Sequence, residues 1–373
     1  MRSNSVAVLD IRSSEICALV GERGVNNTFI IKSKYVCAYD GYAEEELIDV
    51  RNFTEAVCNA VKSTLSAMNG IKTFYVGVPG EFLKLRCLDK VLSFKSAKRI
   101  SSADCSLLLD SCRPEKNEKW ITVKSTCAYY VLSDKRKVID PIGSVSDSLQ
   151  GKCCFFECKT AFADCVLNAF KNFKEITSVN LIPSNYAEGM YLFEPDCRDE
   201  CVVLFDMGYI SSTYSVVCGN GLLYSESFSL GTGHIALYIS SKLDVPFEVA
   251  STFLSQINLN AKEKLTSNEE CVFEGQTYTF STAELRDIIR EGLDGMCETI
   301  EECRRNFVGR NIDSKPLFIT GDEVKTIRGT ADHISSRLEK TVEIIAPKVP
   351  YYDKPQFSSV LSLLDAALRD INK

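Results

Sequence analysis

The sequence predicts an α/β protein built as two related halves around a cleft, with an α+β subdomain inserted into the first half. Three observations carry that prediction. Residues 202–223 (VVLFDMGYISSTYSVVCGNGLL) read as strand, Asp206, a Gly-containing turn, a second strand and a Gly-Asn-Gly turn. Residues 6–20 run through a weaker copy of the same pattern, with Asp10 at the first bend. Between the two copies, residues 81–158 switch to period-two alternation, which the flanking helix-and-strand segments do not show.

Taken in order, residues 6–11, 16–22 and 28–36 read as a three-strand meander with turns at 12–14 and 23–27. Residues 53–69 form an amphipathic helix, with Phe53, Val57, Ala60, Val61, Leu65 and Met68 on one face and Gly70 stopping it. Residues 73–78 are a buried strand ended by Pro79-Gly80. Inside the insert, 102–112 is a helix and 138–151 a polar loop holding a Pro-Ile-Gly turn. Residues 159–173 resume the first half as a helix, followed by a strand at 179–183, a helix at 185–192 and a charged linker at 194–200. Beyond the second hairpin, Gly231-Thr232-Gly233 precedes a helix at 234–243, and 246–257 is helical. A short hairpin at 271–280 turns at Gly275, and Ser281 caps a long helix over 282–309, with Glu284 in capping-box position. A strand at 316–320 runs into Gly321-Asp322. A helix to Leu338, a strand at 342–346 and a last helix at 358–371 close the chain. The expected division is 1–80 with 159–197 and 350–373 as the first half, 81–158 as the insert, 198–244 with 315–349 as the second half, and 245–314 as a small helical and hairpin subdomain.

Bulk composition narrows the function classes. At 373 residues, two to four subdomains are expected. The formal net charge of -7 argues against nucleic acid as the main partner. Residues 1–20 carry Asp10, Arg12 and Glu15 where a secretory signal would be apolar, and no apolar run is long enough to span a bilayer, so a cytoplasmic protein is expected. Most of the 17 cysteines lie singly in apolar periodic segments; the close groups, Cys153-Cys154 with Cys158 and Cys197 with Cys201, make no C-x-x-C pair and lie far from His234 and His333, so the cysteines read as small buried hydrophobes and not as a zinc site.

The order of these elements resembles the actin-like ATPase superfamily (actin, Hsp70, sugar kinases), whose halves are RNase H-like. The place of the insert resembles that of the bacterial cell-division protein FtsA. Four stretches carry the likeness to FtsA-type motifs: LDIRSSEICALVGE (9–22), VIDPIGSVSDSLQGK (138–152), SLGTGHIALYISSKLDVP (229–246) and FITGDEV (318–324). The resemblance implies a nucleotide cleft in which Asp10 and Asp206 hold a hydrated Mg²⁺ if ATP binds. Ser13, Ser14, Gly208 and Thr213 would line the phosphate turns, Gly231 and Gly233 would open a helix suited to anions, and Gly321 would begin the adenosine turn. Taken alone, Asp10 and Asp206 also read as turn-forming residues at strand ends.

This sequence departs from the family pattern in ways that bear on chemistry. Arg12 replaces a turn Gly, Glu15 replaces the Lys that approaches the outer phosphates, and Asp322 replaces the second Gly of the adenosine turn. The family's ribose-gripping Glu and Lys are absent where Ala250, Ser251 and Leu254 align. Arg12 could restore the lost positive charge. The expectation is a degenerate cleft with weak or absent ATP and Mg²⁺ binding, and no catalysis. The resemblance further implies self-association into filaments and binding of an FtsZ-type filament protein, with Arg286, Arg290, Arg304 and Arg305 as candidate contacts; a solvated helix face explains those arginines equally well. Membrane recruitment would then come through a partner, because the family's terminal amphipathic helix has no counterpart before Lys373 and residues 358–371 read as a packing helix. Two alternatives stand beside the FtsA-like scaffold: a PilM-like adaptor of a pilus or secretion assembly, and a residual ATPase.

Overall fold

The computed structural model describes residues 5–25, 28–261, 267–309 and 312–371. It divides into two compact units, Met1–Val202 with Ser215–Glu226 and Ser359–Lys373, and Val203–Tyr214 with Ser227–Ser358.

The first unit opens with β1 (Val6–Ile11), β2 (Glu15–Arg23) and β3 (Phe29–Ala38), the expected meander; the turn expected at 23–27 lies partly outside the described residues. The two-residue strands β4 (Tyr42–Ala43) and β5 (Glu46–Leu47) lead into helix α1 (Val50–Ala67). This helix begins three residues before the expected start, because Asp49 caps it by accepting from the amides of Arg51 and Asn52. Strand β6 (Thr73–Val78) matches the reading. The insert follows as β7 (Leu83–Arg99), α2 (Ser102–Asp110), β8 (Trp120–Leu132), β9 (Lys137–Val138) and β10 (Val145–Lys159), in the sheet order β7-β10-β8-β9 with antiparallel pairing throughout. The loop expected over 138–151 is therefore corrected: only the turn around Pro141–Gly143 is irregular, and residues from Val145 onward are strand. Asp and Gly are poor strand formers, but β10 pairs with β7 from Val145 and with β8 as well from Leu149, and that pairing decides its conformation.

The first unit continues through α3 (Thr160–Phe170), β11 (Ser178–Pro183), α4 (Ser184–Leu192) and α5 (Pro195–Asp199). The charged linker expected at 194–200 is thus partly a short helix, and its Arg198 is buried. The main sheet has the order β11-β6-β1-β2-β3, with β1, β6 and β11 parallel. All six residues of β1 are buried, as a strand covered on both faces requires. Ala7, Leu9 and Ile11 face a core shared with Phe53 and Val57 of α1 and Phe162 of α3.

Next come β12 (Val202–Met207), β13 (Ser212–Cys218) and β14 (Gly221–Phe228), followed by α6 (Thr232–Leu243), α7 (Phe247–Gln256), the hairpin β15 (Asn268–Phe273) and β16 (Gln276–Ser281), and α8 (Thr282–Asn306). Ser281 caps α8 by accepting from the Glu284 amide, as expected. Strand β17 (Leu317–Thr320), helix α9 (Thr330–Leu338) and strand β18 (Val342–Ile344) follow, giving a second sheet of order β14-β13-β12-β17-β18. Residues 321–329, expected to be helical in part, are irregular, and α9 starts only after Gly329.

Helix α10 (Ser358–Asp370) packs on the main sheet of the first unit. Val360, Leu361, Leu363, Leu364 and Leu368 are fully buried. A Cβ at Gly21 would lie 2.8 Å from Leu364 and one at Gly77 would lie 2.6 Å from Leu363, so two small residues admit the helix to the sheet. Arg23 pairs with Asp365 at 3.1 Å across the same contact. Among the described residues no helix is long and apolar enough to cross a membrane, no group of His, Cys, Asp and Glu could hold a metal ion, and each of the 17 cysteines is a free thiol.

Candidate functional site: two closed turns and a groove

The β1–β2 turn is held tightly. The Arg12 amide donates to the Glu15 carbonyl at 2.9 Å, and the Tyr39 hydroxyl donates to the Arg12 carbonyl at 2.6 Å. Asp10, at 1 % exposed, is on the α10 face of the sheet. One of its oxygens accepts from Arg12 Nε at 2.8 Å, and the other accepts from the Ser359 hydroxyl at 2.6 Å. Arg12 Nη1 donates to Glu15 at 2.7 Å. The Arg12 guanidinium is thus shared between two carboxylates of its own turn. Ser13 is buried and Ser14 half-buried in the same turn. Ser359 has no signal in the sequence, because it meets Asp10 only when the last helix folds onto the first strand.

In the second unit, Asp206 is the next-to-last residue of β12 and pairs in register with Thr320 of β17. Gly321 has φ +117°, and a Cβ there would fall 2.3 Å from the Met207 carbonyl and 2.5 Å from Asp206 Oδ1. The position needs glycine because two turns approach each other there. Gly208 is similarly tight, with the Ser211 carbonyl 2.4 Å from an added Cβ. Thr213 shares a hydrogen bond of 2.8 Å with Ser227. The start of α6 is covered by the same turn: the Thr232 amide donates to the Gly208 carbonyl at 3.2 Å and the Gly233 amide to the Tyr209 carbonyl at 2.9 Å. A Cβ at Gly231 would meet both of those carbonyls at 2.3 Å. The helix therefore presents its opening amides to protein carbonyls. Ala250 and Leu254 of α7, where the family's ribose grip aligns, are buried core residues.

The four arginines of α8 do not form one patch. Arg286 and Arg304 lie 18 residues apart, about 27 Å along the axis. Arg286 donates to the Asn258 carbonyl and Arg290 to the Leu259 carbonyl, at 3.2 and 3.4 Å. Arg304 is held by Glu301 and Asp313, which keep its pKa above the usual arginine value. Arg305 is exposed.

A feature the sequence did not reveal lies within the first unit. A groove of about 610 Å³ runs along β11, the edge strand of the main sheet, between α4, α10 and β8. Val179, Leu181, Met190 and Leu167 give it apolar walls, and Lys124, Arg198 and Arg369 bring positive charge. Its two carboxylates are engaged: Asp365 with Arg23 and Arg369, and Asp370 with the Tyr75 hydroxyl at 3.2 Å. Burial, and after it the Asp370 charge, pushes the Tyr75 pKa up to about 12.

Among solved structures, the chain is similar to the PilM-PilN type IV pilus biogenesis complex, with a TM-score of 0.66 at 13% identity, covering 99% of this chain and 99% of that one. It is similar to MreB5 of Spiroplasma citri bound to ADP, with a TM-score of 0.57 at 9% identity and 100% of both chains covered. A third likeness is to the ethanolamine utilization protein EutJ from Carboxydothermus hydrogenoformans, with a TM-score of 0.54 at 12% identity, covering 97% of this chain and 90% of that one. No family model matches the chain, and no curated protein matches it. These likenesses define its class: the chain has the two-domain actin-like ATPase fold. At identities this low they establish the fold alone.

Proposed function

We propose that this chain is a docking adaptor on an actin-like scaffold, holding an extended segment of a partner protein in the groove along β11 and not turning over ATP. The observation that carries the reading is the Arg12 side chain closed onto Asp10 and Glu15. Mg-ATP on this fold would need carboxylates open to a hydrated cation and backbone amides open to phosphates. Both oxygens of Asp10 accept hydrogen bonds from protein donors, and the opening amides of α6 donate to Gly208 and Tyr209. The Arg12 charge, which could have replaced the missing Lys, is shared between two carboxylates of its own turn. These residues do not suit Mg-ATP.

The adaptor reading is favoured over the FtsA-like scaffold by the groove. A sheet edge with no strand paired to it among the described residues, bordered by apolar side chains, suits an added strand or extended peptide. The scaffold reading would place an FtsZ-type tail on the α8 arginines, of which Arg286, Arg290 and Arg304 are engaged within their own unit. In the PilM-PilN structure a protein of this fold is in complex with a second protein, which accords with the adaptor reading. In this reading any membrane attachment comes through the docked partner. Titration calorimetry with Mg-ATP, together with sedimentation in the presence and absence of nucleotide, tests the proposal. No micromolar binding and no nucleotide-dependent filaments are expected; either one would overturn it.

A further inference from the structure

We propose that the groove along β11 is a receptor for an acidic peptide segment, with Arg198 as the group that takes the peptide carboxylate. The inference rests on the docking reading above and adds the chemistry of the occupant. Arg198 comes from α5 of the first unit and is 5 % exposed. Its Nη1 donates to the Gly219 carbonyl at 2.9 Å and lies against Met190 Sδ. Its Nε is buried and makes no hydrogen bond among the described residues. No described carboxylate lies within ion-pair distance of it, and burial is the main cause holding its pKa below the usual arginine value. Glu194 offsets that charge only from beyond ion-pair distance. A buried guanidinium without a direct ion-pair partner is costly, and a ligand carboxylate in the groove reduces that cost.

The surroundings agree in sign. Lys124 Nζ sits 5.4 Å from the centre of the Tyr186 ring, and both residues line the groove with Arg198. The carboxylates that line the groove are already bonded to Arg23, Arg369 and Tyr75, and Glu194, which acts on Arg198, is not part of the lining, so the groove wall at the Arg198 end is positive. Beside it, β11 presents a strand edge with no strand paired to it among the described residues, flanked by Val179 and Leu181. The occupant that fits is an extended peptide with one Asp or Glu next to apolar side chains.

The test pans a random peptide library displayed on phage against the purified full-length protein, then measures the enriched peptides, made synthetically, by fluorescence polarisation. Enriched sequences are expected to share an acidic residue beside apolar ones. They are expected to bind Arg198→Met about tenfold or more weakly, with Arg198→Lys recovering part of the loss. Should Arg198→Met fail to fold, changing the peptide's own Glu to Gln against the native protein must give the same loss. Groove-binding peptides without an acidic preference, or with equal affinity for Arg198→Met, overturn the carboxylate inference and leave the docking reading standing. If no enriched peptide loses binding in Leu181→Trp, which fills the groove, both readings fall.

Discussion

Replacing Arg12 by alanine tests the closed turn most directly. The change leaves Asp10, 1 % exposed, with the Ser359 hydroxyl as its remaining side-chain donor. Breaking a buried ion pair on one side costs about 3–5 kcal/mol, because the remaining charge is buried without compensation. Retention of the Ser359 bond puts the expected loss near the lower end, about 3 kcal/mol. The pair with Glu15 adds little, because that carboxylate is 34% exposed. For a domain of this size the loss corresponds to a melting temperature lower by about 6–12 °C. Trp120, the chain's one tryptophan, lies on β8 in the first unit, so its fluorescence in urea follows the unit that carries the substitution. Adding Asp10→Asn to Arg12→Ala removes the stranded charge and is expected to recover about 2 kcal/mol, a coupling that a double-mutant cycle isolates. A loss below about 0.5 kcal/mol for Arg12→Ala would refute the reasoning. It would mean that Asp10 reaches water or another cation without Arg12, which is the condition that a cation-binding cleft requires.

Three further outcomes follow from the same geometry. Leu364→Ala, at a fully buried position against Gly21, is expected to cost about 2–5 kcal/mol in chemical denaturation, whereas a helix lying free of the sheet would lose almost nothing. Gly231→Ala places a Cβ 2.3 Å from the carbonyls of Gly208 and Tyr209, so it is expected to destabilise the second unit by about 1–3 kcal/mol, equally with and without Mg-ATP; a loss only in the presence of nucleotide would argue for a ligand role. Asp104 has its pKa lowered from 3.8 to about 2 by Lys98 and then by Ser101. Its ionised form therefore adds stability that is fully present above the unfolded value and is lost as pH falls toward 2. Asp104→Asn should narrow the stability gap to the native protein between about pH 4 and pH 2, as urea midpoints across that range would report.

Much of the architecture was legible because it is written in local periodicity. The apolar runs at 6–11 and 73–78, the one-faced helix beginning near Phe53 and the Ser281 cap mark elements whose hydrophobic pattern or hydrogen-bond partners lie within a few residues. Misreadings fell where tertiary pairing overrode local preference. Residues 145–151 hold two Ser, an Asp and a Gly yet form strand, because β7 pairs along them and β8 joins on the other edge from Leu149. Residues 194–200 are charged yet partly helical, and they bury Arg198. The cysteine reading was sound in that each is a free thiol and most are buried or half-buried; only Cys197 is exposed.

By itself the sequence determined the α/β class, the two Asp-bearing hairpins and the inserted sheet, and its resemblance to the actin-like pattern marked Arg12, Glu15 and Asp322 as departures from it. Tertiary structure alone decided where the Arg12 charge goes, what shares Asp10, and that a groove lies along β11. Each of these joins residues distant in the chain: Ser359 reaches Asp10 across 349 positions, and Asp365 reaches Arg23 across 342. Hydrophobic periodicity records which face of an element is buried, but not which partner covers it. Ion pairs and grooves depend on that partner, so they are set only when the last helix closes on the first sheet.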